Sequence, residues 1–471
     1  MSWSQLLDGS YQRLLGDSEY TLFLGSQNAL GDMFLHLAFH APVRCFRPER
    51  VHAAWASIRR RNPLLMSQVL VDGGDLGTAR FSFSPPDTPE RALKEAAAAT
   101  RYSHETKDEL ISAYMDGARI LSNGYLSYLV ISGPNFDSEI SEYDILMCAP
   151  HFIGDGTALH QSAHELLCLL SSERTDAELA SELDQIQNWA DVLPSSIESR
   201  LSVPSSALGR AACQINYMQS LSREIGGHTL SRIQRAPKKT VMQECEFSEE
   251  QTLAILANCK SHGVTVNHAL TAVCNVAWAR CTSQPLELPM MLYTAANLRP
   301  HLPPQNSVSQ WFLALTYFTI SLPAFEPSTP GGVWYRARLA KARMQQAVRS
   351  PLLPARALLS AAARARRTTT FAPPPDSPDL PARPSASAAL LGVSLIGDLD
   401  RTYVRAAYGP GVRLRSVATA SRLKPGGLLL LGHSFGGRLV LQLCWDSMGF
   451  AEGEVERFWA ALTGAVGEFL C

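Results

Sequence analysis

The sequence predicts an α/β protein with at least two domains. Its 471 residues exceed the usual size of a single domain. Along the chain, segments with the alternation typical of strands are followed by segments with the apolar spacing of helices. Hydrophobic residues make up 46% of the sequence and charged residues 18%, which is typical of a globular chain able to bury large cores.

The first half contains clearly bounded predicted elements. Strands are predicted at 33–40, 66–71, 125–131 and 142–148, and an amphipathic helix at 48–61. The pair Asn62-Pro63 ends this helix, because the residue before a proline disfavours the helical conformation.

The second half repeats the alternation of strands and helices. Strands are predicted at 240–247, 288–296, 311–322 and 438–445, and helices at 208–225, from 248 onwards and at 265–281. Ser248 is expected to cap the second of these helices, with Gln251 in the position of a capping box.

We expect the chain to divide into two parts joined by a crossover. The first subdomain is predicted at 1–190, the crossover at 191–239 and the second subdomain at 240–471. The Ala/Arg-rich and Pro-rich stretch 356–384 is expected to form a helix end followed by a mobile loop.

The stretch Ala149–His160 carries the motif around which the chain is organised. His151 and Asp155 stand four residues apart in the pattern H-x-x-x-D-G. Gly154 and Gly156 flank the aspartate, so we do not expect the two side chains to be neighbours on one helix. We predict instead a strand that ends at the histidine, a tight turn and then a helix. In this geometry a substrate can reach the imidazole, and Asp155 faces the protein interior.

His151 has the chemistry expected of a general base. The unperturbed pKa of histidine lies near neutrality, so an accessible imidazole can take a proton from an alcohol or an amine. That group can then attack an activated acyl carbon without a nucleophile from the protein. The alternative is a structural histidine at a strand end, held by a backbone carbonyl.

Four stretches resemble the HxxxD-type acyl-CoA-dependent acyltransferases, which share a fold with the condensation domains of peptide synthetases. They are His151–Gly156, Asn297-Leu298-Arg299-Pro300, Leu391–Asp400 with Tyr403, and Ser434–Leu439. The last two are similar to segments of fungal acetyltransferases of the trichothecene 15-O-acetyltransferase type. The matches span most of the chain in the order that this family shows.

The resemblance implies both a fold and a site. The fold is of the chloramphenicol-acetyltransferase type, with two subdomains, each a mixed sheet backed by helices, and an active-site tunnel between them. His151 would be the base in this tunnel. Asp155 and Arg299 would form an ion pair that holds the site in shape.

The resemblance also implies a reaction. We expect an acyl-CoA-dependent O-acyltransferase, with acetyl-CoA as donor and a hydroxyl of a secondary metabolite, such as a terpenoid, as acceptor. Acyl-CoA is then a co-substrate and not a permanently bound cofactor. The residues that contact CoA and the donors that stabilise the oxyanion are not identified by the sequence.

Two alternative functions stay open. One is a condensation enzyme that depends on a carrier protein, although Pro150 stands where condensation domains have their first histidine. The other is a non-catalytic binding protein on the same scaffold, although His151 and Asp155 are intact. The D-F-G-W-G signature of the plant enzymes is absent, with residues 433–437 in its approximate place.

A serine motif near the C-terminal end suggests a rival enzyme class. Ser434 lies in G-x-S-x-G after an apolar run, which matches the nucleophile elbow of α/β-hydrolases. That fold needs its histidine after the serine, and residues 435–471 contain none. A predicted strand follows the motif, so we expect its two last glycines to turn a β-hairpin.

A histidine pair on the helix after the motif suggests a metal site. His160 and His164 are four residues apart, but Gln161 stands where the zinc-peptidase pattern has glutamate. We interpret the pair as surface residues near the mouth of the active site, and we expect no metal.

Charge and cysteine usage limit the partners and the compartment. The net charge of −1 provides no general attraction for nucleic acid or an anionic membrane. The ten cysteines include no C-x-x-C pair, and several of them, such as Cys148, Cys168 and Cys274, fall within apolar runs and are expected to be buried free thiols in a reducing compartment. Neither a signal peptide nor an apolar run of about 18 residues is evident. We expect a cytoplasmic monomer that binds a small-molecule acceptor and acyl-CoA.

Overall fold

The protein is described by a computed structural model. It describes residues 2–133, 140–185, 188–224, 227–233, 235–282, 287–303, 309–324, 330–369, 389–409 and 411–471. The later part of the predicted mobile loop, at residues 370–388, lies outside this range.

The chain contains both strands and helices in each half, as the sequence predicts. The strands are β1 (Ser4–Gln5), β2 (Tyr11–Leu14), β3 (Asp32–Pro42), β4 (Gln68–Asp72), β5 (Asp75–Phe83), β6 (Thr100–Ser103), β7 (Tyr128–Ser132), β8 (Ile140–Pro150), β9 (Thr240–Glu246), β10 (Met290–Asn297), β11 (Leu315–Leu322), β12 (Gly392–Asp398), β13 (Arg413–Ser421), β14 (Leu428–Phe435) and β15 (Arg438–Asp446). The helices are α1 (Asp17–Ser26), α2 (Pro48–Arg61), α3 (Pro89–Ala98), α4 (Lys107–Asp116), α5 (Gly156–Ser171), α6 (Asp176–Ser181), α7 (Trp189–Val192), α8 (Ile197–Arg200), α9 (Ala207–Leu221), α10 (Glu249–Ser261), α11 (Val266–Cys281), α12 (Pro330–Val348), α13 (Leu353–Thr369) and α14 (Glu454–Phe469).

The first large sheet has the strand order β13-β3-β8-β7-β6. It is mixed, because β6 and β7 run parallel while the other pairs are antiparallel. Leu35 and Leu37 of β3 and Ile145 of β8 are fully buried in one cluster with Trp55 of α2 and Leu166 of α5. Burial of these apolar side chains is what fixes the two helices against the sheet.

The second large sheet has the strand order β11-β10-β12-β14-β15-β9. Here β12 runs parallel to both of its neighbours, and the other pairs are antiparallel. Leu430 of β14 and Leu441 of β15 form one buried cluster with Trp278 of α11 and Phe458 of α14. The predicted α/β class, with two mixed sheets backed by helices, is therefore confirmed. A smaller sheet, β1-β2-β5-β4, was not predicted.

One strand crosses from the second half of the chain into the first sheet. β13 pairs antiparallel with β3, from Ser421 opposite Met33 to Arg413 opposite His40. The sequence analysis assigned no element to this segment. Residues from the predicted second subdomain thus form the edge of a sheet whose other strands come from the first.

Several predicted boundaries are close to the observed ones. The helix predicted at 48–61 matches α2 at both ends, and the capping box of Ser248 and Gln251 is present at the start of α10. The strand predicted at 311–322 begins only at Leu315. Before β11, the carbonyl oxygen of Phe312 accepts from Arg299 and the N–H of Ala314 donates to Asp155, so two backbone groups of this segment bond to side chains.

The cysteines form no disulfide. Cys148 and Cys274 are buried as predicted, but Cys168 is only half-buried because it lies toward the outer side of α5. Among the residues described, no helix combines the length and the hydropathy needed to cross a bilayer.

Candidate active site

The motif lies where β8 gives way to α5. β8 ends at Pro150, and His151–Ile153 form a single 3-10 turn before the extended residue Gly154. The backbone N–H of His151 donates to the carbonyl oxygen of Gly31 at 3.2 Å, which ties the turn to the loop before β3. The predicted succession of strand, turn and helix is present.

The imidazole of His151 is held in one tautomer by its own turn. Its Nδ1 lies 2.9 Å from the carbonyl oxygen of Gly154. A carbonyl oxygen can only accept a hydrogen bond, so Nδ1 carries a hydrogen, and in the neutral ring the lone pair is on Nε2. The backbone contact expected of a structural histidine is therefore present, and it leaves the other nitrogen able to accept a proton.

His151 lines a cavity of about 200 Å³ between the two large sheets. The walls come from both halves of the chain: Met33 and Gly156 from the first, Tyr293, Ser394 and Leu431 from the second, and Thr419 from β13. The half-buried imidazole is thus placed where a substrate can meet it.

Gly154 is required by a close approach of Trp311. A Cβ atom at residue 154 would lie 2.6 Å from Cε3 of Trp311, well inside van der Waals contact. Trp311 is fully buried, and its Nε1 donates to Oγ of Ser162 on α5 at 2.6 Å. The indole therefore holds the helix and the turn in fixed positions. The sequence analysis did not identify Trp311, because nothing local marks its distant partner.

Asp155 caps α5 and does not face His151. Its Oδ1 accepts from the backbone N–H groups of Thr157 and Ala158 at 3.1 and 3.3 Å. Its Oδ2 accepts from Arg299 Nη1 at 2.5 Å and from the N–H of Ala314 at 3.2 Å. The carboxylate is 1% exposed, so these four donors are what make its burial tolerable.

Arg299 reaches Asp155 from the second half of the chain. It lies just after β10, where the sequence predicted a strand to deliver it. Its Nη2 donates to the carbonyl oxygens of Gln310 and Phe312, both at 3.2 Å, and its guanidinium lies 4.7 Å from the Phe312 ring centroid. The structure therefore brings Asp155 and Arg299 together across the two halves, with His151 on the cavity side.

The comparisons with known proteins bear on this arrangement. Residues 236–322 match the family model described as the phthiocerol/phthiodiolone dimycocerosyl transferase C-terminus. The sequence has no significant match among curated proteins. A trichothecene 15-O-acetyltransferase from Fusarium sporotrichioides superimposes with a TM-score of 0.81 at 15% identity, covering 99% of this chain and 98% of that one.

Two further solved structures are similar over almost the whole chain. The condensation domain of the monacolin K polyketide synthase gives a TM-score of 0.64 at 13% identity, covering 100% of this chain and 98% of that one. Polyketide synthase associated protein 5 from Mycobacterium tuberculosis gives 0.61 at 14% identity, covering 97% and 98%. The chain has the condensation-domain and acyltransferase fold.

Within this acyltransferase fold, the prediction of a surface histidine pair is wrong. His160 is 2% exposed, and its Nδ1 lies 2.8 Å from the Tyr403 hydroxyl. His164 makes the same contact with the Tyr408 hydroxyl, also at 2.8 Å. Burial lowers the pKa of His160 to about 3, so this imidazole is neutral. The segment after β12 packs on this face of α5. The spacing of residues along one helix does not show which other segment packs on it.

The serine motif occupies a β-hairpin of the acyltransferase fold. β14 runs through Ser434 and turns into β15 at Gly436 and Gly437, whose φ angles of 61° and 76° are left-handed. A nucleophile elbow needs a helix at this point, so the predicted hairpin is confirmed. The neighbouring His433 is 2% exposed, and burial lowers its pKa to about 4.

Proposed function

We propose that the protein is an acyl-CoA-dependent O-acyltransferase. The observation that supports this most is the imidazole of His151, which lies in the cavity between the sheets with Nδ1 against the carbonyl oxygen of Gly154, so that Nε2 is the nitrogen left to accept a proton. Acetyl is the proposed acyl group, and the proposed acceptor is a hydroxyl of a secondary metabolite such as a terpenoid. The acetyltransferase with the similar fold is consistent with this choice.

In the proposed mechanism, His151 Nε2 accepts the proton of the acceptor hydroxyl as its oxygen attacks the thioester carbonyl carbon. A new C–O bond forms, and the C–S bond then breaks. Protonated His151 returns its proton to the departing thiolate, which restores the base. Because Nδ1 donates to Gly154 throughout, the imidazolium is stabilised and the ring cannot turn away.

The proposed role of Asp155 and Arg299 is to position the turn that carries His151. Both carboxylate oxygens are occupied by donors other than the histidine. We therefore propose positioning roles for these two residues and assign neither of them to proton transfer.

The first prediction tests the base. His151→Ala should fold normally and transfer acetyl groups at least about 100-fold more slowly, which is the low end of what a general base contributes. The assay uses labelled acetyl-CoA with a panel of hydroxylated terpenoids, followed by mass analysis of the products.

His104→Ala is a matched control for this substitution. His104 Nδ1 also lies close to a backbone carbonyl, that of Gly133, but the side chain is exposed and does not line the cavity. Near-normal turnover by His151→Ala would contradict the mechanism. Turnover with an acyl group on a carrier protein, and none with acyl-CoA, would favour the condensation alternative.

A further inference from the structure

A second cavity lies on the outer side of the edge strand β11. It has a volume of about 640 Å³ and is enclosed by β11, α12, α13 and the end of α9. Four arginines line it: Arg223, Arg343, Arg356 and Arg364. Glu224 is the one carboxylate among the described residues that line it. Because the whole chain has a net charge of −1, this concentration of positive charge is local.

Three of these arginines are not neutralised by described residues. Arg356 Nη2 donates to the carbonyl oxygen of Ala347 at 2.6 Å, and Arg223 Nη1 donates to Gln346 Oε1 at 3.5 Å. Within the described part of the chain, no carboxylate lies within 4.0 Å of Arg223, Arg343 or Arg356. Burial lowers the pKa of Arg356, and the charge of Arg223 lowers it further. Arg223 and Arg343 are exposed and Arg356 is half-buried, and the repulsion between their like charges is reduced when an anion lies between them.

The arginine cleft adjoins the cavity of His151. Tyr317 lines both cavities, and its ring stacks on that of Tyr293 with 5.2 Å between centroids. Arg364 Nη2 donates to the Tyr293 hydroxyl at 2.5 Å, and its guanidinium lies 5.2 Å from the Tyr317 centroid. Tyr317 is therefore the place where the positive cleft and the cavity of His151 meet.

We propose that this cleft, formed by Arg223, Arg343 and Arg356, is an anion subsite for one of the two co-substrates. It binds a phosphate or a carboxylate while the reacting end of the same molecule lies at His151. The part of this inference that places the reacting end of the molecule at His151 rests on the proposed function. Guanidinium groups suit this task, because their planar fork pairs with two oxygens of either anion.

The test is anion binding by a variant with two exposed arginines removed. Wild type and Arg223→Gln/Arg343→Gln are titrated with pyrophosphate and with citrate at low ionic strength, where charge attraction is least screened. We expect wild type to bind at least one of these anions, and the double variant to bind it at least about tenfold more weakly. Arg356 is left in place because it is half-buried and bonded to a carbonyl.

Arg338→Gln/Arg349→Gln is the matched control. Both arginines belong to the same helix region and are exposed, but neither lines the cleft. This control should bind the anions as wild type does. Equal affinity of wild type and the cleft variant, or no anion binding by wild type, would overturn the proposal.

Coenzyme A distinguishes the two possible sources of the anion. If it displaces pyrophosphate from wild type and binds the cleft variant more weakly, the anion is a phosphate of the acyl donor. If it binds both proteins equally and leaves pyrophosphate bound, the subsite serves an acidic acceptor. His151→Ala should bind all these ligands as wild type does, so failure of the proposed function and failure of the subsite give different results.

Discussion

At the scale of single residues, the two glycines on either side of Asp155 differ in how much space is left for a side chain. A Cβ atom at Gly154 would collide with Trp311, whereas at Gly156 it would meet no atom within 4 Å. Both residues belong to the same short motif. The difference comes from Trp311 in the other half of the chain. The fold therefore needs a glycine at residue 154 and not at residue 156.

The second prediction follows from this contrast. Gly154→Ala should lower the free energy of unfolding by about 1–3 kcal/mol, because the added methyl group overpacks a filled site. It should also slow turnover, since the Gly154 carbonyl orients His151. Gly156→Ala should leave stability unchanged, although it lines the catalytic cavity. Denaturation curves and initial rates of both variants measure this, and equal losses of stability would contradict it.

The main features of the turn that carries His151 could be predicted from the sequence, but its packing could not. The identity of His151, Asp155 and their glycines is local information. The tautomer of His151 depends on a carbonyl three residues away, and the constraint on Gly154 depends on Trp311. The contact of Gly154 with Trp311 has no signature in a single sequence, because it depends on how distant segments pack, and the contact of His151 with Gly154 depends on the exact shape of the turn.

At the scale of elements, the hairpin of β14 and β15 shows that the serine motif is not a nucleophile elbow. Two consecutive left-handed glycines suit a tight turn between antiparallel strands. Ser434 therefore lies on a strand and has no helix behind it. The same local sequence would give an esterase only in a different context of elements.

The third prediction concerns this serine. Ser434→Ala should transfer acyl groups at close to the normal rate, since no described histidine follows it to complete a triad. Treatment with a fluorophosphonate, followed by mass spectrometry and an activity assay, provides the measurement. Covalent labelling of Ser434 with a matching loss of activity would show that this serine is the nucleophile.

Elements with local signals were predicted well, and those shaped by distant partners were not. α2 has proline at its start and Asn-Pro at its end, and both boundaries were found. β11 starts late because the N–H of Ala314 bonds to Asp155 and the carbonyl of Phe312 bonds to Arg299. These two backbone groups bond to the ion pair and not to another strand. The alternation of apolar and polar residues in the sequence does not indicate this.

At the scale of the whole molecule, the ion pair of Asp155 and Arg299 joins the two halves of the chain. Its distance of 2.5 Å and its extra bonds to backbone groups make it part of the core. The proposed division into 1–190, 191–239 and 240–471 stays a prediction. Any boundary drawn between the sheets must cross this pair and the strand pairing of β13 with β3.

The fourth prediction is that loss of Asp155 destabilises the protein more than loss of Arg299 does. Asp155→Ala should lower the free energy of unfolding by about 3–5 kcal/mol, because it leaves the charge of Arg299 without a partner and also removes the cap of α5. Arg299→Ala should cost less, since three N–H donors still hold the carboxylate. Both variants should lose activity. Urea denaturation of the single and double variants measures the coupling, and the double variant should lose less than the sum. Additive losses would show that the pair contributes no coupling.

The pairing of β13 with β3 sets an order of events during synthesis. β3 is made before its partner on one side, residues 413–421, and most of this sequence lies between the two strands, so that partner leaves the ribosome much later. Until then β3 presents an unpaired edge, which is a template for contact with other chains. Closing the first sheet also requires a contact between segments far apart in sequence, which slows folding. We therefore expect this edge of β3 to be open to contact with other chains until β13 has been made.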